Sequence, residues 1–166
     1  MLGAIAGDII GSRFEFNNTR RTDFALFTPE SGFTDDTVCT VAVAEALLRG
    51  TDIGETLHRW CRRYPNPTGG YGGRFRQWVA SDNPRPYNSF GNGSAMRVSP
   101  VAWAFDDLRD VERYAEVTAR VSHNHPEGIK GAKATAIAVY MARAGHDKEE
   151  IRAHIEQYYY PLNFRI

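Results

Sequence analysis

The chain has 166 residues, twenty Lys and Arg against twenty Asp and Glu, with 42% hydrophobic and 24% charged residues. That is enough chain and apolar content for a packed core, and it excludes a disordered or fibrous polypeptide. Zero net charge leaves no electrostatic footprint for a nucleic-acid duplex or an anionic membrane, although a local basic pocket remains open.

The first element runs from Gly3 through Gly11, an apolar start interrupted by Asp8. It lacks a basic leader region, and no run in the chain approaches the length of a membrane span, so the expected location is cytoplasmic. Gly3, Gly7 and Gly11 keep i, i+4 spacing on one helical face. Glycine costs ~1 kcal/mol per interior helix position relative to alanine, so three in register point to close helix packing or to a functional surface. Packing explains the glycines but not Asp8 and Glu15 beside them.

A loop is expected from Asn17 to Gly32. Val38 to Leu48 is apolar nearly all round and ends at Gly50, which predicts a central, buried helix with a glycine stop. Leu57, Trp60, Cys61 and Tyr64 then fall at i, i+3, i+4 and i+7. After the Pro65 to Gly73 loop, Tyr71, Phe75 and Trp78 share one face. A third loop, Ser81 to Gly93, leads into the segment that Phe90 to Arg97 opens and that reaches Ala104. Leu108, Val111, Ala115 and Thr118 mark another amphipathic helix. Ala132 to Ala144 is a second helix apolar on all sides, ending at Gly145, and Ile151, His154, Ile155 and Tyr158 close the pattern. Sustained strand alternation is absent, since Phe24-Ala25-Leu26 is too short to count. The expectation is one compact all-α domain over residues 1–166. Cys39 and Cys61 are the only cysteines and cannot build a disulfide framework, which fits a reducing compartment.

Three stretches carry chemistry. Thr34-Asp35-Asp36-Thr37 stands where the buried helix begins. Adjacent carboxylates behind a hydroxyl offer hard oxygen ligands, suited to magnesium, manganese or calcium rather than zinc. The same residues also make a good N-cap with acids in the first turn. Phe90 to Arg97 holds an Asn-Gly pair before an expected helix start, where backbone N–H groups can cradle phosphate. Its plainer reading is a turn with Ser94 as N-cap. Ser122-His123-Asn124-His125-Pro126 places two histidines in a loop, where a histidine is ordinarily just solvated.

Taken in order, GAIAGDIIGSRFEF, FTDDT, YGGRFRQW, GNGSAMRVSP and SHNHPEGIKGA cover nearly the whole chain, and in that order the sequence resembles the ADP-ribosylglycohydrolase family. The resemblance implies an orthogonal multi-helix fold and hydrolysis of ADP-ribose from a protein side chain or small acceptor. It implies two magnesium ions beside the distal ribose, with manganese as a substitute. Thr34, Asp35 and Asp36 would be metal ligands, with Asp35 and Asp36 also orienting water. Glu15 would be the acid/base or gating residue, and Asp8 would support the first helix. Gly91, Asn92, Gly93 and Ser94 would contact the ribose-phosphate part of ADP-ribose, and His123 would hydrogen-bond in the substrate pocket.

Family members continue for roughly another helical layer and supply an Asp-x-Asp-Thr motif that completes the metal pair. No such motif follows residue 36 here, and Asp106-Asp107 and Glu149-Glu150 fall on exposed-looking helix starts. The expectation is a chain truncated at its C-terminus and a poor hydrolase alone. Its ending, Tyr158, Tyr159, Tyr160, Leu162 and Phe164, would want cover from a dimer partner or a complementing C-terminal segment. Two other readings stay open. One is a catalytically inactive ADP-ribose-binding or structural relative, and the other a helical interaction domain whose motifs are all caps and turns.

Overall fold

A computed structural model describes residues 1–163, and Phe164 of the expected aromatic ending lies outside them. The described residues form eight α-helices and two short 3-10 stretches, with no strand among them. The chain divides into two compact units, Met1–Arg85 and Pro86–Ile166.

The first unit holds α1 (Leu2–Gly11), α2 (Asp35–Arg49), α3 (Ile53–Arg63) and α4 (Gly73–Ala80). Helix α2 is its centre, burying Val38, Cys39, Thr40, Ala42, Val43 and Ala46 as its all-round apolarity predicts. It starts at Thr34, whose extended backbone and side chain cap the N–H of Asp36, and it stops at Gly50, where φ is 63°. That left-handed geometry is what glycine supplies without strain. Helix α3 packs on α2 through Leu57 and Cys61, both with no exposed surface. Burying a side chain such as Leu57 contributes roughly 1.5–3 kcal/mol. The Cys39 and Cys61 sulfurs stand 3.9 Å apart as separate thiols. Tyr71 then closes the unit, donating its hydroxyl to the carbonyl of Tyr64 at 2.7 Å, and Phe75 stacks on Trp78.

Helix α1 departs from the expectation of close packing. None of its residues is buried, and a Cβ built at Gly3, Gly7 or Gly11 would meet nothing within 4 Å. The glycine stripe therefore does not serve a helix–helix contact among the described residues.

The second unit holds α5 (Val101–Ala104), α6 (Leu108–Arg120), α7 (Pro126–Arg143) and α8 (Lys148–Tyr158). Val111, Ala115, Thr118 and Ala119 of α6 are buried, as are Ala132, Ala136 and Ile137 of α7. Small side chains on α7 let the two helices come together. Asp107 caps α6, and Asp147 with Glu150 forms a capping box at α8, so the later acidic pairs are helix starts as expected. The segment that Phe90 to Arg97 opens, reaching Ala104, has only short helical pieces. It is a 3-10 turn at Asn92–Ser94 followed by a four-residue helix. Pro100 stands as the N-cap of that helix, and a proline disfavours helical geometry at the residue before it. Ser94 is not an N-cap, because its hydroxyl donates to the Gly128 carbonyl at 2.7 Å.

Two aromatics of the C-terminal ending find cover within this unit. Tyr159 donates to Glu112 at 3.0 Å, and Lys130 lies 4.4 Å from the Tyr160 ring centre, while Tyr158 stays exposed. No described helix is long and apolar enough to cross a membrane.

Candidate functional site

Asp8 reaches from α1 to the start of α2. Its Oδ1 accepts the Thr34 hydroxyl at 2.5 Å, and its Oδ2 accepts the backbone N–H of Thr34 at 2.9 Å. The same Oδ2 accepts the N–H and hydroxyl of Thr37, at 3.2 and 2.5 Å. One carboxylate thus satisfies several orphan donors of a helix start, from another helix rather than from its own N-cap. Thr34 Oγ1 is committed twice, donating to Asp8 and accepting from the N–H of Asp36. A threonine hydroxyl has one proton and two lone pairs, so one lone pair remains for a further partner.

Beside this junction is a cavity of about 310 Å³ lined by Asp8, Ser12, Glu15, Thr34 and Asp36, together with Gly7 and Gly11. The two glycines present bare backbone there, which is the place the stripe occupies instead of a helix contact. Ser12 steadies the rim, donating to the Ile9 carbonyl and accepting the N–H of Gly32. Glu15 follows the 3-10 stretch Ser12–Phe14. The turn after Pro67 is tied on by the Thr68 N–H, which donates to the Phe33 carbonyl at 3.1 Å. That turn brings Gly69 (φ +78°) so near that a Cβ on it would collide with the Glu15 carboxylate. Sequence reasoning marked Gly69 only as a loop glycine. The Pro-Thr-Gly-Gly run signals a turn, but nothing local ties it to Glu15.

Electrostatics follow from this crowding. Burial pushes the Asp35 carboxyl up to about 7, helped by the charges of Asp36, Glu15 and Asp8. Asp36 is pushed up to about 6, by burial first and then by Asp8 and Glu15. Asp36 and Glu15 line the cavity, whereas Asp35 feels the same charges from outside its lining. No basic side chain is among the lining residues. Oxygen-only donors with mutually repelling charges match what magnesium or manganese binds. Asp35 and Asp36, with the spare lone pair of Thr34, are the groups that would hold such an ion. Among the described residues, however, no three His, Cys, Asp or Glu side chains meet round one metal position.

The second unit carries the other candidates. His123 is only 4% exposed. It is thus not the solvated loop histidine the sequence suggests, because the chain leaving α6 turns back with the N–H groups of Ser122 and His123 both donating to Ala119. The Gly91–Ser94 loop meets its ring. A Cβ on Gly93 would come within 2.9 Å of the His123 Nε2 and Cε1 atoms, so this position has no room for a side chain. Gly128 is similarly confined, with the Ser89 carbonyl 2.6 Å from a Cβ built there. Arg97, which sequence reasoning passed over, is fully buried behind the histidine's neighbour Ser122, and donates to it at 2.8 Å.

These features define an all-helical protein with a carboxylate-lined cavity at the start of a central helix and a glycine loop closed on a buried histidine. The sequence matches the ADP-ribosylglycohydrolase family over residues 1–162, and the chain belongs to that family. It is similar to the ADP-ribosylhydrolase ARH3 of Mus musculus, 29% identical across 95% of this chain and 53% of that protein. The human ARH3 is also 29% identical, across 90% of this chain and 50% of its own length. The ADP-ribosyl–dinitrogen reductase glycohydrolase of Rhodospirillum rubrum matches at 29% over 75% of this chain and 50% of that protein. The chain thus spans about half the length of these relatives.

Proposed function

We propose that the protein hydrolyses the bond between C1 of the distal ribose of ADP-ribose and a protein side chain or small acceptor, in a magnesium-dependent reaction. The observation that carries this reading is the cavity lined by Asp8, Glu15 and Asp36, with Asp35 beside Asp36 in the first turn of α2 and both carboxyls pushed up by burial and by their neighbours. Perturbed carboxylates gathered at a cavity are a mark of functional sites. Family membership and the activities for which the ARH3 and Rhodospirillum rubrum relatives are named support the same substrate class.

A bound magnesium ion, or manganese in its place, supplies Lewis-acid polarisation and a more acidic water. The chain's own residues do the rest. Asp35 and Asp36 would hold the ion and orient a water molecule. Glu15 moves a proton at the reacting oxygen, and the carboxylates steady the positive charge that develops at the anomeric carbon. Asp8 keeps Thr34 and Thr37 in place so that the acids project from a fixed helix start. In the second unit, Gly91, Asn92, Gly93 and Ser94 contact the ribose-phosphate part of the ligand, and His123 donates a hydrogen bond to it. Two cysteines in the whole chain, too few for a disulfide framework, support a cytoplasmic setting. Leu2, Phe16 and Phe27 are exposed apolar side chains that a complementing C-terminal segment or a second copy would cover.

The commitment of Thr34 to the helix cap and the lack of a converged ligand set favour a second reading, an ADP-ribose-binding relative without catalysis. One experiment separates the two. ADP-ribose release from a modified peptide is followed with and without magnesium, for this chain and for a version extended by the family's C-terminal segment. Magnesium-dependent release, stronger in the extended chain, supports the hydrolase. Magnesium-independent binding of ADP-ribose without release by either chain supports the binding relative, and no binding by either overturns both.

A further inference from the structure

We infer that Arg97 and Ser122 are positioning residues that fix His123 as a neutral ring carrying its proton on Nε2, toward the Gly91–Gly93 backbone. The inference rests on the reading of that loop and His123 as part of an ADP-ribose site, and adds what holds the histidine ready.

The argument is one of donors and acceptors. Arg97 Nη2 donates to the Thr118 carbonyl and to Ser122 Oγ, each at 2.8 Å, with the whole residue buried. A guanidinium has donors only, so Ser122 Oγ accepts in this bond. Ser122 is itself fully buried, and its Oγ has one further partner among the described residues, His123 Nδ1 at 2.8 Å. The hydroxyl proton therefore goes to Nδ1, since leaving a buried donor unmade costs ~1–3 kcal/mol. Nδ1 accepts, and in the neutral ring the proton sits on Nε2.

That nitrogen faces the glycine loop. Cβ atoms built on Gly93 and Gly91 would lie 2.9 and 3.9 Å from Nε2. An Nε2–H there suits an acceptor oxygen of bound ADP-ribose, and it would be of no use with the tautomer reversed. In this scheme Arg97 and Ser122 act without touching the ligand. Their effect passes through the orientation and protonation of the ring, as partners behind a functional histidine commonly act.

The test uses the full chain with ¹⁵N-labelled histidine and long-range ¹H–¹⁵N spectra, read alongside calorimetric titration with ADP-ribose. The wild-type ring of His123 is expected with Nε2 protonated and Nδ1 bare. Ser122→Ala is expected to give mixed tautomers at His123 and ADP-ribose binding weaker by roughly 3- to 10-fold, the loss of about one hydrogen bond. His125 is the internal control, because its Nδ1 accepts the Glu127 N–H at 3.1 Å independently of Ser122, so its signals stay put in a folded variant. A proton on Nδ1 of wild-type His123 overturns the inference whatever the variant does. A single unchanged tautomer in Ser122→Ala overturns it as well. Expected tautomers with no ADP-ribose binding by the wild type would instead remove the substrate reading and leave the positioning role standing.

Discussion

Asp8 Oδ2 receives both the hydroxyl and the backbone N–H of Thr37, so a residue in the first turn of α2 is held by a carboxylate from α1. With the two bonds to Thr34, this makes Asp8 the main polar tie between the helices. Asp8→Ala should lower unfolding stability by about 1–3 kcal/mol, the range for a lost cap and buried donors left unmet. Asp8→Asn should cost less, because its carbonyl oxygen can still accept. Urea denaturation checks both, and an unchanged midpoint in Asp8→Ala would show that the tie contributes nothing.

Stability should fall with rising pH between about 4 and 7. Asp35 and Asp36 are raised from an ordinary 3.8 to about 7 and about 6 in the folded state. In that window the native chain holds protons that the unfolded chain has lost, so each pH step favours unfolding, and the effect levels off above about 7. The melting temperature should therefore be lower at pH 8 than at pH 5, and Asp36→Asn should flatten the difference. Magnesium should raise the melting temperature more at pH 8, where the carboxylates are charged, and a chelator should reverse it. An equal magnesium effect at both pH values would count against a site at these acids.

Gly69, which abuts Glu15, and Gly7, which lines the cavity, should respond in opposite ways to alanine. Gly69 has φ +78° and no room beside Glu15. Gly69→Ala should cost about 1–2 kcal/mol from the left-handed backbone alone and displace Glu15. Gly7 is helical and open, so Gly7→Ala should stabilise α1 by up to ~1 kcal/mol. Thermal melts of the pair decide it, and a destabilised Gly7→Ala would mean that α1 meets something at that position.

Glu15→Gln keeps shape and removes proton transfer. In whichever form of the protein is active, turnover should drop by about 10²–10⁴-fold with ADP-ribose affinity changed far less. Turnover at the wild-type rate would assign Glu15 to structure alone.

Much of the fold can be read from local pattern. The helices marked by Leu57 to Tyr64, Leu108 to Thr118 and Ile151 to Tyr158 form where the 3.6 period places them, because one apolar face decides each. The segment before Ala104 was less legible, since Pro100 outweighs the apolar run around it. In the site, the Thr34-Asp35-Asp36 stretch announces both a cap and an oxygen cluster. Only the fold shows that Thr34's hydroxyl belongs to Asp8. Gly69 and Arg97 were invisible for another reason. Each acts on a residue far along the chain, Glu15 and Ser122, and no periodicity records such a meeting.

Helix α1 has ten residues, three of them glycine, and buries none. Helices shorter than ~12–15 residues are marginal in water on their own, so this one persists through its ties at Asp8 and Ser12. Its local opening should need less free energy than unfolding of the unit, and its amides should exchange with solvent before those of α2. One wall of the acidic cavity is then in equilibrium between formed and unformed. Part of the affinity of any occupant goes into ordering α1, and amide protection there should rise in step with occupancy.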